Sequence, residues 1–138
     1  MAGTIDPIGV LARTLDALAL RQQVTASNVA NAETPGFRGQ AVRFEDLLQA
    51  MLSGSFTRLP LVRTDPRHIA TTANSPSALQ PEVVALTGTR YRPDGNNVDI
   101  EREMGLLAET TLRYSAVSEV LARRLAMLRA MASGGQGS

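Results

Sequence analysis

The sequence predicts a mainly α protein whose N- and C-terminal helices pair as an antiparallel, coiled-coil-like hairpin around an irregular middle. Three observations predict it. Apolar residues recur at spacings of three and four at both ends of the 138-residue chain. Six of the seven prolines fall between those ends, at positions 32–97, where periodicity is weak. The aromatic fraction is only 4%, which argues against a large globular core. The expected organisation is a single domain: a helix over 7–31, an irregular segment over 32–97, a second helix over 99–132, and a disordered tail over 133–138.

Asp6-Pro7 is a good helix opening, because Asp caps free amides and Pro fits the first helical position. From there Ile8, Leu11, Leu15, Leu18, Gln22, Thr25 and Val29 form a heptad seam whose second half turns polar. Asn31 and the Pro35 stop end the helix. At the other end Asp99 is the N-cap, and Glu101 and Glu103 suit the first turn's dipole. The seam there runs Ile100, Met104, Leu107, Thr111, Tyr114, Ser118, Leu121, Leu125, Leu128. Glu109 with Arg113 and Glu119 with Arg123 are i,i+4 pairs, and Arg123, Arg124 and Arg129 cluster toward the C-terminal end. Each helix carries a second apolar stripe: Val10, Ala17, Leu20 and Val24 on the first, Val117, Val120, Met127 and Met131 on the second. A two-helix hairpin buries one stripe per helix. The second stripe needs the middle segment or another subunit, and a lone hairpin is expected to be marginally stable.

In the middle, FEDLLQAML (44–52) reads as a short amphipathic helix, and RLPLVRT (58–64) and PEVVALTGTRY (81–91) as short strands able to pair. TTANSPSALQP (71–81) reads as a polar loop.

Chemistry is hard to place on this chain. His68 is the single histidine, there is no cysteine, and no nucleophile elbow surrounds any serine. Asp94-Gly95-Asn96-Asn97 starts like a calcium loop but lacks the later ligands, so a turn feeding the Asp99 helix is expected. A net charge of +1, with fourteen basic residues that are all arginine and no aromatic interleaving, disfavours nucleic acid. The N-terminus lacks a basic region before its apolar residues, so neither a cleavable signal nor a membrane span is expected. No enzyme activity, cofactor or metal is expected.

The stretch Ala26-Ser27-Asn28-Val29-Ala30-Asn31-Ala32-Glu33-Thr34-Pro35-Gly36-Phe37 closely resembles the N-terminal signature of the axial proteins of the bacterial flagellum. That signature is an A-x-N-x-A-N core followed by T-P-G and an aromatic, and every place is filled. Asp94-Gly95-Asn96-Asn97-Val98-Asp99-Ile100-Glu101 resembles the D-G-N-x-V-D segment of one proximal rod protein, whereas its sibling FlgC tends to a P-N-V-N lead-in. Leu112-Arg113-Tyr114 and the run of Thr64, Pro66 and His68 are similar to the same rod protein. The resemblance implies a structural subunit exported unfolded through the flagellar type III apparatus. It would assemble helically with itself, FlgC, FlgF and FlgG, between the rod-base adaptor FliE with the membrane ring and export gate and the distal rod. A helical adaptor or chaperone of the secretion system, or FlgC itself, are the competing readings. For the signature, Asn31 is expected to take a left-handed conformation or bond the last helix carbonyls. Pro35-Gly36 is expected to form a type II turn, leaving Phe37 and the Asn28 amide facing a neighbour.

Overall fold

The computed structural model describes residues 6–52, 80–87 and 92–134. The elements run α1 (Pro7–Ala30), β1 (Gln40–Arg43), α2 (Glu45–Leu52), β2 (Glu82–Ala85) and α3 (Ile100–Gly134). The architecture is mainly helical. Helices α1 and α3 are antiparallel: Asn28 near the end of α1 bonds Glu103 near the start of α3, and Gln22 reaches Thr111 at 3.1 Å.

Local chemistry sets the helix ends. The Asp6 carboxylate accepts from the Ile8 amide at 3.0 Å, with Pro7 in the first turn. The Asp99 carboxylate accepts from the Arg102 amide at 3.2 Å, and Glu101 and Glu103 occupy the first turn of α3. Glu109 and Arg113 approach to 2.5 Å, and Glu119 pairs with Arg123. Because α3 continues to Gly134, Arg129 lies before its last turn, which holds no basic residue. The arginine cluster therefore sits outside the turn where the dipole acts strongly.

The two strands pair antiparallel, Gln40 opposite Ala85 and Arg43 opposite Glu82. Strand β2 lies within the expected PEVVALTGTRY segment, but its described partner is Gln40–Arg43, for which no strand was expected. RLPLVRT, His68 and most of the TTANSPSALQP loop lie outside the described residues, as do 135–138 of the tail. Helix α2 matches the expected amphipathic segment, with Phe44 buried just before it.

The line of burial between α1 and α3 differs from the apolar seams. On α1 the buried residues are Ala17, Leu18, Arg21, Val24, Thr25 and Asn28, a line between the two expected stripes. On α3 only Glu103 and Thr110 are buried, with Leu106, Leu107, Val117 and Leu121 half-buried. Of the α3 seam, Ile100, Met104, Tyr114, Leu125 and Leu128 are exposed. The physical reason is that polar side chains with fixed partners hold the hairpin's centre, which rotates α3 about one position from its apolar seam. The Thr110 hydroxyl, for example, donates to its own helix at the Leu106 carbonyl, 2.7 Å away, and so sits inside at little cost. On α1, Ile8, Leu11, Leu15 and Val29 are half-buried, and Leu18 is buried.

Candidate assembly site at the helix exit

Helix α1 ends at Asn31, whose backbone N–H and side-chain Nδ2 both donate to the Ser27 carbonyl. Its φ of −100° is not left-handed, so of the two expected conformations the bonded one is realised. The Phe37 amide then donates to the Thr34 carbonyl at 3.2 Å, and Gly36 has φ +73°, as a type II turn with Pro35 and Gly36 at its centre requires. Phe37 is half-buried; Thr34, Pro35 and Gly36 are exposed.

The second signature segment closes onto this turn. Pro93 and Asp94 are the centre of another turn, in which the Gly95 amide donates to the Arg92 carbonyl. The Asp94 carboxylate accepts from the Asn96 amide and its carbonyl accepts from the Gly36 amide, both at 3.0 Å. Asn96, 0% exposed, donates through Nδ2 to the carbonyls of Asn31, Ala32 and Thr34 at 2.9–3.0 Å. Its Oδ1 accepts from the Val98 amide at 2.8 Å, which turns the chain toward Asp99 and α3. One buried amide thus joins the exit of α1 to the entry of α3. Arg92 adds a fork onto Glu33, at 2.9 and 3.3 Å, and reaches the Ala32 carbonyl. That fork holds the exposed Glu33 carboxyl below its ordinary value.

Asn28 does not face outward; it is 1% exposed. Its amide acts as a surrogate strand. Oδ1 accepts from the Gln40 amide at 2.9 Å, and Nδ2 donates to the Gln40 carbonyl at 2.7 Å and to Glu103 at 2.9 Å. The outer edge of β1 is thereby satisfied by α1. Arg21 continues the edge by donating to the Val42 carbonyl at 3.1 Å while forking onto Glu45 at the start of α2. Arg113 of α3 lies 3.6 Å from the same carboxylate. Arg21's hydrogen bonds hold the Glu45 carboxyl below its ordinary value, against a smaller upward push from burial. Beside this ion group α1, α2 and α3 leave a mainly apolar cleft of about 220 Å³, lined by residues including Leu18, Phe44, Leu48 and Val117. Asn97 extends the same end of the sheet just beyond the Gln40–Ala85 pair: it accepts from the Gly39 amide at 2.7 Å and donates to the Leu86 carbonyl at 2.9 Å. Sequence reasoning missed Asn97, Arg21, Glu45, Arg92 and Glu103. Their one shared signal is a polar residue at or beside an otherwise apolar or turn position.

So the two segments that carried the resemblance, about sixty positions apart, are one hydrogen-bonded unit. Both also match known proteins. The family described as "Flagella basal body rod protein" matches residues 8–38, that is, α1 and its exit turn. The chain is 31% identical over 135 residues to the flagellar basal body rod protein FlgB of Bacillus subtilis (strain 168), covering 98% of this chain and 97% of that one. The chain belongs to the FlgB family of flagellar basal body rod proteins. The FlgB of Cereibacter sphaeroides (strain ATCC 17029 / ATH 2.4.9) is 34% identical over 134 residues, 97% and 99% of the two chains. That of Salmonella typhimurium (strain LT2) is 32% identical over 126 residues, 88% of each. FlgB is the member that the Asp94–Asp99 segment favoured over FlgC. The FlgB-type segment Asp94, Gly95, Asn96, Val98 and Asp99 lies beyond the family match, yet it is what holds the matched exit turn in place.

Proposed function

We propose that this chain, a structural subunit of the flagellar basal-body rod by its family, completes its packing on other subunits and transmits torque through those contacts. One observation carries the reading: the heptad seam of α3 is exposed at Ile100, Met104, Tyr114, Leu125 and Leu128 although it is apolar and periodic. A seam of that kind is the signature of a helix with a helical partner, and α1 does not cover it. The partners are further copies and the other rod proteins FlgC, FlgF and FlgG, above the adaptor FliE, the membrane ring and the export gate. Heterologous, non-closing contacts make the assembly helical. The subunit crosses to the periplasmic rod unfolded, through the flagellar type III apparatus. A fold centred on polar contacts, with much apolar surface left over, suits a chain that becomes fully ordered only on assembly. No helix among the described residues is long and apolar enough to cross a membrane, and the contacts proposed are with protein alone. The role requires no catalysis and no cofactor.

The test is structural. Basal bodies isolated from a strain lacking this chain, viewed by electron microscopy, should show membrane rings without a rod, and the intact gene should restore the rod. Normal rods in its absence refute the reading.

A further inference from the structure

Glu103 is a buried carboxylate with half of its bonding left open. It is 7% exposed, and its Oε2 accepts from the Asn28 amide at 2.9 Å. Its Oε1 bonds nothing among the described residues, and no described side-chain oxygen is both sealed from solvent and unpartnered. Oε1 therefore opens on the cleft that Glu103 lines. An ionised carboxylate has about four lone-pair sites, and a buried charge without a counter-charge is costly. The start of α3 offsets part of that cost, since a helix N-terminus is worth roughly half a positive charge. Arg102 lines the same cleft, but it directly precedes Glu103, and adjacent helix positions do not face each other.

The cleft lies between the first turns of α3 and the end of the sheet where Gln40 faces Ala85. It holds about 180 Å³. Ala41, Leu86 and Leu106 are half-buried apolar walls, while Gln40, Thr87 and Asp99 are exposed at its mouth. Two carboxylates, Asp99 and Glu103, stand against the single Arg102, so the cleft is negative by one charge. Its chemistry narrows the occupant. A hard metal ion asks for several oxygens converging on one point, and no three acidic or histidine side chains do so among the described residues. The space is also many times that of one water. An arginine side chain fits both the walls and the charge: its apolar stem lies along the first, and its planar fork of five donors meets the second.

We propose that an arginine side chain of a neighbouring rod subunit inserts into this cleft and pairs with Glu103. The bond from Asn28 holds Oε2 toward α1 and leaves Oε1 for the incoming guanidinium. The same Asn28 amide holds Gln40 of β1, so one inserted side chain engages α1, β1 and α3 at the point where their crossing is fixed. This inference rests on the rod-subunit reading and names one of its contacts.

Glu103→Gln separates an intersubunit contact from an internal anchor. The glutamine carbonyl still accepts from Asn28, while its NH2 replaces Oε1 and repels a guanidinium. In the purified chain the urea midpoint should stay within about 0.3 M of the parent or rise, because an uncompensated buried charge has been removed. In cells the same variant should give at least tenfold fewer basal bodies with rods, counted by electron microscopy. A midpoint that falls further, or a parental number of rods, overturns the proposal. The chain contains no cysteine, so Thr87→Cys places a single thiol at the mouth of the cleft. Basal bodies of that variant, treated with a maleimide–phenylglyoxal reagent that joins a thiol to a guanidinium, should yield a band of two subunits. Mass spectrometry should place the far end on an arginine of the second subunit. Linkage to Arg102 of the same chain alone, or none, overturns the proposal. If rods vanish without the chain yet Glu103→Gln builds them normally, the contact alone is wrong. If rods form normally without the chain, the rod reading itself fails.

Discussion

Replacing Asn96 by Ala should uncouple the exit of α1 from the entry of α3, and the structure sets the size of the effect. The three carbonyls that Asn96 serves do not all become orphans. Asn31 O still accepts from the Thr34 amide, Thr34 O from the Phe37 amide, and Ala32 O from Arg92. What the substitution removes is the net worth of the two Nδ2 hydrogens and the one acceptor of the buried Val98 amide. At about 1 kcal/mol for each lost bond and somewhat more for an orphaned buried N–H, the total is about 3 kcal/mol. The assay is a urea titration followed by far-ultraviolet circular dichroism, in a fixed concentration of sucrose to favour the folded form. With a slope of about 2 kcal/mol per molar urea, the midpoint should fall by about 1.5 M. Asn96→Asp is the sharper control. It keeps the acceptor for Val98 but sets a buried carboxylate against three carbonyl oxygens, so it should be worse than Ala. A midpoint for Asn96→Ala within about 0.25 M of the parent, or an Asp variant milder than Ala, refutes the donor role.

Two further perturbations test neighbouring features. Gly36→Ala forces a Cβ into φ +73° with open space around it, so only backbone strain should register, about 1–2 kcal/mol in the same titration; Gly36→Asn should be milder, and the reverse order contradicts the turn assignment. Glu45 titrates below its ordinary value of 4.5 when folded, because Arg21 bonds its charged form. A lowered folded pKa gives stability that is complete above the unfolded value and is lost as pH falls through the folded one. Acid unfolding of the parent should therefore steepen below about pH 4.5, and Glu45→Gln should flatten the curve there. Superimposable acid-unfolding curves exclude the Arg21–Glu45 pair as a contributor.

Much of the backbone was legible because it is written locally. Asp6-Pro7, Asn31 and Asp99 mark helix ends through side chains that bond amides or carbonyls within one turn, and Thr34-Pro35-Gly36-Phe37 specifies its own turn. The packing was not legible, because an apolar search passes over Arg21, Thr25, Asn28, Glu103 and Thr110, all of which are buried. Three of them have partners far off in the chain, Asn28 with Glu103 and Arg21 with Glu45. Strand β1 escaped notice for a related reason. It is four residues long, and one of its edges is completed by side chains of α1, a pairing with no period to detect.

This hairpin reverses the usual distribution of side chains. The largest fully buried ones among the described residues are Asn28, Asn96, Thr25 and Thr110, while Met104, Leu112, Met127 and Met131 face solvent. Hydrogen bonds are directional but contribute little net stability once their competition with water is counted. Apolar burial is the reverse: strong in proportion to area, and indifferent to register. A subunit that fixes its helix crossing with amides and keeps its apolar seam outside specifies its own hairpin geometry yet leaves a large driving force to be spent on assembly. In a rod under torque that division is useful. The angle between α1 and α3 is set within each copy by Asn28 and Asn96, whereas on the proposed reading the strength of the tube comes from apolar surface shared between subunits. Weakening the amides should therefore misalign neighbours before it separates them, and replacing the exposed methionines of α3, Met104, Met127 and Met131, should separate neighbours whose hairpins remain correctly formed.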